Sequence, residues 1–293
     1  MVRDAVAGHG RYRHLVETAS RLRGRIEEVL DAAKAQGLRA GENPATWKGN
    51  LSHLLAKRNS KKRRHFPALP WPLMNEFMTE LRKHQGTGPR ALEFTILTAA
   101  RSGEVREAVW REVDLGAQLW VVPGERMKMK DDHTKPLSDE AVKNLRALPQ
   151  VEGTDLIFPN PRKKKPISDA TMGKVGSDNH LGRPCCLTPS RKVIKDMNTA
   201  AGGKKWVDKK GDCATTHGFR SSFKDWSTEC TDHSETVVEM ALAHKVGSDV
   251  ERAYRLGELL MKRTVLMKDW AQYCNTPASI GNVIPMAQKK GAT

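Results

Sequence analysis

The segment Thr216-His217-Gly218-Phe219-Arg220 sets a histidine and an arginine three residues apart. On a helix they share a face, while Phe219, Phe223 and Trp226 point elsewhere into a core. Such a pair suits an anionic oxygen, because the arginine offers a two-pronged fork to a phosphate and the histidine moves a proton near neutral pH. Alone, His-x-x-Arg usually marks a surface pair, so its company decides. Arg101, in Thr98-Ala99-Ala100-Arg101-Ser102-Gly103-Glu104-Val105, falls between a buried helix and a new helix start. There Ser102 is expected to cap and Glu104 suits the first turn, which holds the arginine rigidly. Lys128 stands eight residues before Pro136-Leu137-Ser138, on a hairpin from which a lysine reaches a cleft as a proton donor. Lys130 is its rival, because register in a hairpin is not set by sequence. His244 closes Leu242-Ala243-His244, and Tyr254, one of three tyrosines, follows ten residues later in Ala253-Tyr254-Arg255.

These residues need elements to hold them. Leu22, Ile26, Val29, Leu30 and Ala33 recur at helical spacing from Thr18 and end at Gly37, predicting one amphipathic helix. Asn43-Pro44 predicts a second, with Asn43 as N-cap and Trp47, Leu51, Leu54 and Leu55 buried on one side. The basic run Lys57, Arg58, Lys61, Lys62, Arg63 and Arg64, followed by Pro67, Pro70 and Pro72, reads as an interdomain linker. A charge run is most often a solvated face, but between two folded segments phosphate contact is an equal reading. Helices are expected around Leu73–Leu81 and Leu92–Leu97. A hairpin is expected from Leu119-Trp120-Val121-Val122 through Pro123-Gly124 to Leu137, and then a helix capped by Ser138. The polar, lysine-rich stretch from Arg162-Lys163-Lys164-Lys165 to Asp212 predicts loops, with a helix near Ser190 to Asn198. Three helices follow, starting near Thr216, Ser234 and Leu259. The fold class is mainly α with a small antiparallel β-sheet.

Composition narrows the chemistry. Fifty Lys and Arg against thirty-four Asp and Glu leave +16 on 293 residues, a field that attracts polyanions, so nucleic acid is the expected partner. At 38% hydrophobic residues the chain supports a real core. No apolar run nears the ~18 residues that span a bilayer, and Met1-Val2-Arg3-Asp4 opens no signal peptide, so no membrane partner and a reducing cytoplasm are expected. Cys185, Cys186, Cys213, Cys230 and Cys274 never fall as Cys-x-x-Cys. Cys213 and His217 have no second pair nearby, so neither a metal nor any other cofactor is expected.

In the order Arg101, Lys128, His217, Arg220, His244, Tyr254, with Ala-Arg-Ser-Gly-Glu-Val, Pro-Leu-Ser, His-Gly-Phe-Arg and Leu-Ala-His around them, the chain resembles the tyrosine recombinases, the phage-type integrases. It is most similar to those of prophages and genomic islands. The resemblance implies a site-specific DNA recombinase in which Tyr254 attacks the scissile phosphate and Arg101 and Arg220 clamp it. Lys128 protonates the leaving 5′-oxygen, His217 assists proton transfer and His244 orients the phosphate. It further implies a partial helical core-binding segment with basic linker over 1–65, a catalytic domain over 66–275 and a tail over 276–293. Implied partners are double-stranded attachment-site DNA, a homotetramer on it, and a directionality factor or host DNA-bending protein, in a nucleoid-associated, cytoplasmic setting. The runs Lys57 to Arg64 and Arg162 to Lys165 are expected to track DNA backbone. Two further readings stay open: a non-catalytic DNA-binding remnant, and a type IB topoisomerase-like relaxing enzyme.

Overall fold

The computed structural model describes residues 15–54, 66–127, 130–160, 164–168, 192–247 and 259–276. Two compact units divide the chain near residue 64.

In the first unit, α1 (Leu15–Ala35) ends as its glycine predicts. Gly37 has φ 72°, and the amides of Gly37 and Leu38 return to the carbonyls of Lys34 and Ala33, the paired bonds that close a helix on a left-handed residue. The expected second helix does not start at Pro44: only Ser52–Leu54, at the edge of the described residues, is α-helical. Lys48 is extended and Gly49 left-handed inside the short turn Trp47–Leu51, and no residue there is buried. The segment is instead tied to the polar side of α1. Asn43 Nδ2 donates to the Glu27 carbonyl (2.8 Å) and to Asp31 Oδ1 (2.7 Å), and Arg23 Nη1 donates to the Ala45 carbonyl at 2.7 Å. Of the apolar stripe that spacing assigns to a core, Leu22, Ile26 and Val29 are exposed, Leu22 at 57% and Val29 at 66%, and Leu30 and Ala33 are half-buried.

In the second unit, α2 (Met74–Leu81) and α3 (Thr87–Leu97) bury Phe77, Met78, Leu92, Phe94 and Leu97. A five-residue helix, α4 (Ser102–Arg106), follows. The sheet is antiparallel in the order β1 (Val113–Asp114), β2 (Leu119–Val122) and β3 (His133–Pro136). Its register pairs Trp120 with Lys135 and Val122 with His133. Because opposed residues of an antiparallel ladder share a face, Lys135 and His133 lie on the same side as the buried Trp120 and Val122. Ser138 Oγ accepts from the Ala141 amide and starts α5 (Asp139–Arg146) as expected. Then come α6 (Lys192–Ala200), α7 (Gly218–Cys230), α8 (Glu235–Ala241) and α9 (Leu260–Asn275). α9 packs on α2, α8 and β3, and Trp270, fully buried, donates Nε1–H to the Ile96 carbonyl at 2.9 Å. This confirms the expected class: mostly helix with one small antiparallel sheet.

Candidate active site

Two helix ends in the second unit are built alike. After α3 the amides of Ala99 and Ala100 bond back to the carbonyls of Ile96 and Thr95. After α8 those of Ala243 and His244 bond back to Met240 and Glu239. Each is the double-bonded C-terminal closure that needs a left-handed residue, and alanines fill the position, with φ 46° at Ala99 and 51° at Ala243. The carbonyls freed at these two ends take up the arginines. Arg220, on the first turn of α7, donates Nη1 to Ala99 O and Nη2 to Leu242 O. Arg101 donates Nη2 to Ala243 O at 3.2 Å. Guanidiniums whose forks are satisfied by fixed backbone lose little freedom when an anion arrives.

Arg101 is itself the N-cap residue of α4, with Ser102 the first helical residue, so the expected serine cap is replaced. Glu104 supplies the cap chemistry: its Oε2 accepts from the Arg101 amide at 3.1 Å and its Oε1 from Arg101 Nη1 at 2.8 Å. Burial would raise the Glu104 carboxyl, but Lys135 and Arg101 outweigh it and hold it down to about 2. Arg220 is 5% exposed, and its burial, with Arg101 beside it, draws it down to about 10, so it stays charged at neutral pH.

His244 Nε2 lies 3.2 Å from Arg220 Nη2, and its Nδ1 lies 2.6 Å from Glu239 Oε2. Glu239 also pairs with Lys224. His217 stands at the N-cap of α7, solvent-facing, with its ring 4.5 Å from that of Phe66. Partial burial, with Arg220 and Arg101 nearby, lowers both histidines, although for His244 the Glu239 hydrogen bond opposes this, and both are neutral at pH 7. The turn between Thr215 and α7 depends on Gly218: a Cβ there would stand 1.9 Å from the Pro67 carbonyl oxygen, which already accepts from the Thr215 amide at 3.0 Å.

Arg101, His217, Arg220 and His244, spread over 144 positions of sequence, are therefore brought into one cluster. Lys128 and Tyr254 lie outside the described residues, as do Lys57, Arg58, Lys61, Lys62, Arg63, Arg64, Arg162 and Lys163. Lys164 and Lys165 are exposed in a tight turn between Pro159 and Pro166. Lys130, left-handed at φ 62°, is exposed in the hairpin turn. Tyr273 donates its hydroxyl to the Trp71 carbonyl at 3.1 Å, as befits a packing aromatic.

Three residues escaped the sequence reading. Glu239 carries no motif signal beyond standing five residues before His244. Lys135, 2% exposed, lies 3.5 Å from Glu104 Oε2. Arg263 of α9, 1% exposed, donates Nη1 to the Thr134 carbonyl at 2.7 Å and stands 3.5 Å from His133 Nε2. A charged residue facing a buried tryptophan across a ladder betrays itself only when the register is known. Among the described residues no group of His, Cys, Asp or Glu forms a metal site, and no helix is long and apolar enough to cross a membrane.

The Phage integrase family matches residues 73–257, which contain the whole cluster, and the Phage integrase central domain matches residues 10–50. The chain belongs to the phage integrase family. It is 30% identical over 273 residues to the integrase of Enterobacteria phage P4, covering 88% of this chain and 55% of that protein. To prophage integrase IntA of Escherichia coli K12 it is 28% identical, covering 93% and 58%. This family member thus spans somewhat over half the length of these curated relatives. Its fold is similar to that of a lambda integrase(75-356) dimer bound to a COC′ core site, with TM-score 0.51 and 17% identity over 78% of this chain and 72% of that one. The Tn1549 transposon integrase in complex with a circular intermediate DNA matches with TM-score 0.51 and 12% identity over 79% and 76%.

Proposed function

We propose that this chain carries the strand-exchange centre of a site-specific DNA recombinase serving integration or excision of a mobile element. One observation supports the reading above others: Arg101 and Arg220 converge from separate elements, each locked on backbone carbonyls beside His244. Two such forks neutralise the non-bridging oxygens of a phosphodiester, the task a metal performs in many nucleases.

In this reading the Tyr254 oxygen attacks phosphorus, the bond from phosphorus to the 5′-oxygen breaks, and a 3′-phosphotyrosyl ester forms. Lys128 delivers a proton to the departing 5′-oxygen and His217 assists transfer of the phenol proton. A neutral His217 at pH 7 suits a proton acceptor. The 5′-hydroxyl of a second strand then attacks the ester and releases Tyr254, so the ester energy is conserved and no nucleotide cofactor is consumed. Residues 1–65 are read as core-binding segment and linker, 66–275 as the catalytic domain, and a tetramer on paired duplexes as the working assembly.

The test is covalent trapping. Incubated with a nicked attachment-site duplex, the wild-type protein forms an adduct resistant to denaturant, and Tyr254→Phe abolishes it. An adduct that survives Tyr254→Phe overturns the assignment. Salt-sensitive DNA binding with no adduct from the wild type marks a non-catalytic binder, and loss of supercoils on an arbitrary plasmid marks a relaxing enzyme.

A further inference from the structure

Lys135 is a lysine where the sheet calls for an apolar side chain. It faces Trp120 across the β2–β3 ladder, is 2% exposed, and its Nζ makes no hydrogen bond. Its one ionic contact among the described residues is Glu104 Oε2 at 3.5 Å, the oxygen that already accepts the Arg101 amide. Removing an ammonium from water is unfavourable unless partners compensate it. The Arg101–Glu104 pair is neutral without it, so charge balance within the fold gives no reason for a further cation. Among the described residues three cations, Arg101, Arg220 and Lys135, thus act on the Glu104 carboxylate, leaving two positive charges in excess.

We propose that Lys135 is a positioning residue of the anion site: pressed against Glu104, it holds the carboxylate under Arg101 and supplies the second positive charge in excess, matching a dianion rather than a monoanion. This inference rests on the recombinase reading. A phosphodiester carries one negative charge, and the five-coordinate transition state gathers a second on its non-bridging oxygens. A charge held beneath the arginines therefore favours the transition state over the ground state. Lys135 reaches no solvent and acts through Glu104 and Arg101. Among the described residues the charged and titratable groups around it are Glu104 and Arg101 at α4, Arg220 of α7, His133 on its own strand with Arg263 of α9 beside it, and Arg126, whose Nη1 donates to the Glu104 carbonyl. Burial, with Arg220 and Arg101 nearby, brings the ammonium down to about 8 although Glu104 raises it, so the excess charge fades in mildly alkaline solution.

Sulfate, a dianion throughout this range, is the probe, read by titration of the melting midpoint and by calorimetry on the full chain. Wild type should bind sulfate about tenfold more weakly at about pH 9 than at about pH 7, the scale of one charge lost in a partly buried site. Lys135→Met should bind at the weak level at both pH values and, without sulfate, melt no lower than wild type, because a buried charge has been replaced by an apolar chain. A merely structural lysine would instead lower the midpoint. Lys135→Arg, whose charge does not titrate here, should stay tight at both. If Lys135→Met does not fold, the wild-type and Lys135→Arg profiles still decide. Wild-type affinity and pH profile in Lys135→Met, with sulfate lost in Arg101→Gln, overturns the proposal and leaves the arginine site standing. Undiminished binding in Arg101→Gln overturns the site reading, and this proposal with it.

Discussion

Arg220 donates from Nη2 to Nε2 of His244 across 3.2 Å. A guanidinium has no acceptor, so Nε2 must accept, the ring proton must sit on Nδ1, and Nδ1–H donates to Glu239 Oε2 at 2.6 Å. Glu239 therefore sets the tautomer of a histidine it precedes by five residues. Glu239→Gln offers Nδ1 an amide able to donate as well as accept, which frees the other tautomer. Single-turnover adduct formation should fall about 10- to 100-fold, the scale of one hydrogen bond to a charged group, while DNA affinity changes little. An unchanged rate would show that the tautomer is indifferent.

The left-handed alanines give a stability prediction. Ala99 and Ala243 hold φ 46° and 51° so that their helices end where the arginine acceptors are needed. A left-handed residue with a Cβ costs roughly 1–2 kcal/mol, of which glycine recovers part against its own chain entropy. Ala99→Gly and Ala243→Gly should each be neutral or stabilising by up to about 1 kcal/mol in chemical denaturation. Ala99→Val, β-branched and 2% exposed at that site, should destabilise by more than about 2 kcal/mol. Equal effects of glycine and valine would contradict the backbone account.

Acid should loosen the sheet before it loosens the rest. Burial, with Lys135 and Arg263 nearby, brings His133 down to about 3. Its folded pKa lies below the unfolded value of about 6.5, so the unfolded chain binds more protons and stability falls as pH drops from about 6.5 toward 3. Glu104, held at about 2, adds a second loss as pH falls from about 4.5 toward 2. His133→Gln should remove the first loss, on the order of 2 kcal/mol between about pH 6.5 and about pH 4. Parallel melting curves for wild type and His133→Gln over that interval would count against it.

Much of the element list is legible in the sequence because local chemistry writes it. Ser138 caps a helix, Gly37 ends one, and the runs Leu119–Val122 and Leu92–Leu97 declare strand and helix. The second helix does not begin at Asn43-Pro44 because Gly49 turns left-handed and the segment before Ser52 bonds to the polar side of α1, a competition between backbone and side-chain partners that periodicity does not weigh.

By itself the sequence determined which residue types were available for phosphate chemistry. Arg101, His217, Arg220 and His244 stand in motifs short enough to read, and the excess of cations names an anionic partner. Only the tertiary structure decided what holds them. The carbonyls of Ala99, Leu242 and Ala243, the Glu239 carboxylate and the buried Lys135 ammonium are placed by helix ends and by a strand register. Those depend on contacts up to 142 residues apart. The reason is physical: hydrogen-bond partners within a turn are encoded by neighbours in the chain, whereas partners across a fold exist only once the core has chosen one packing.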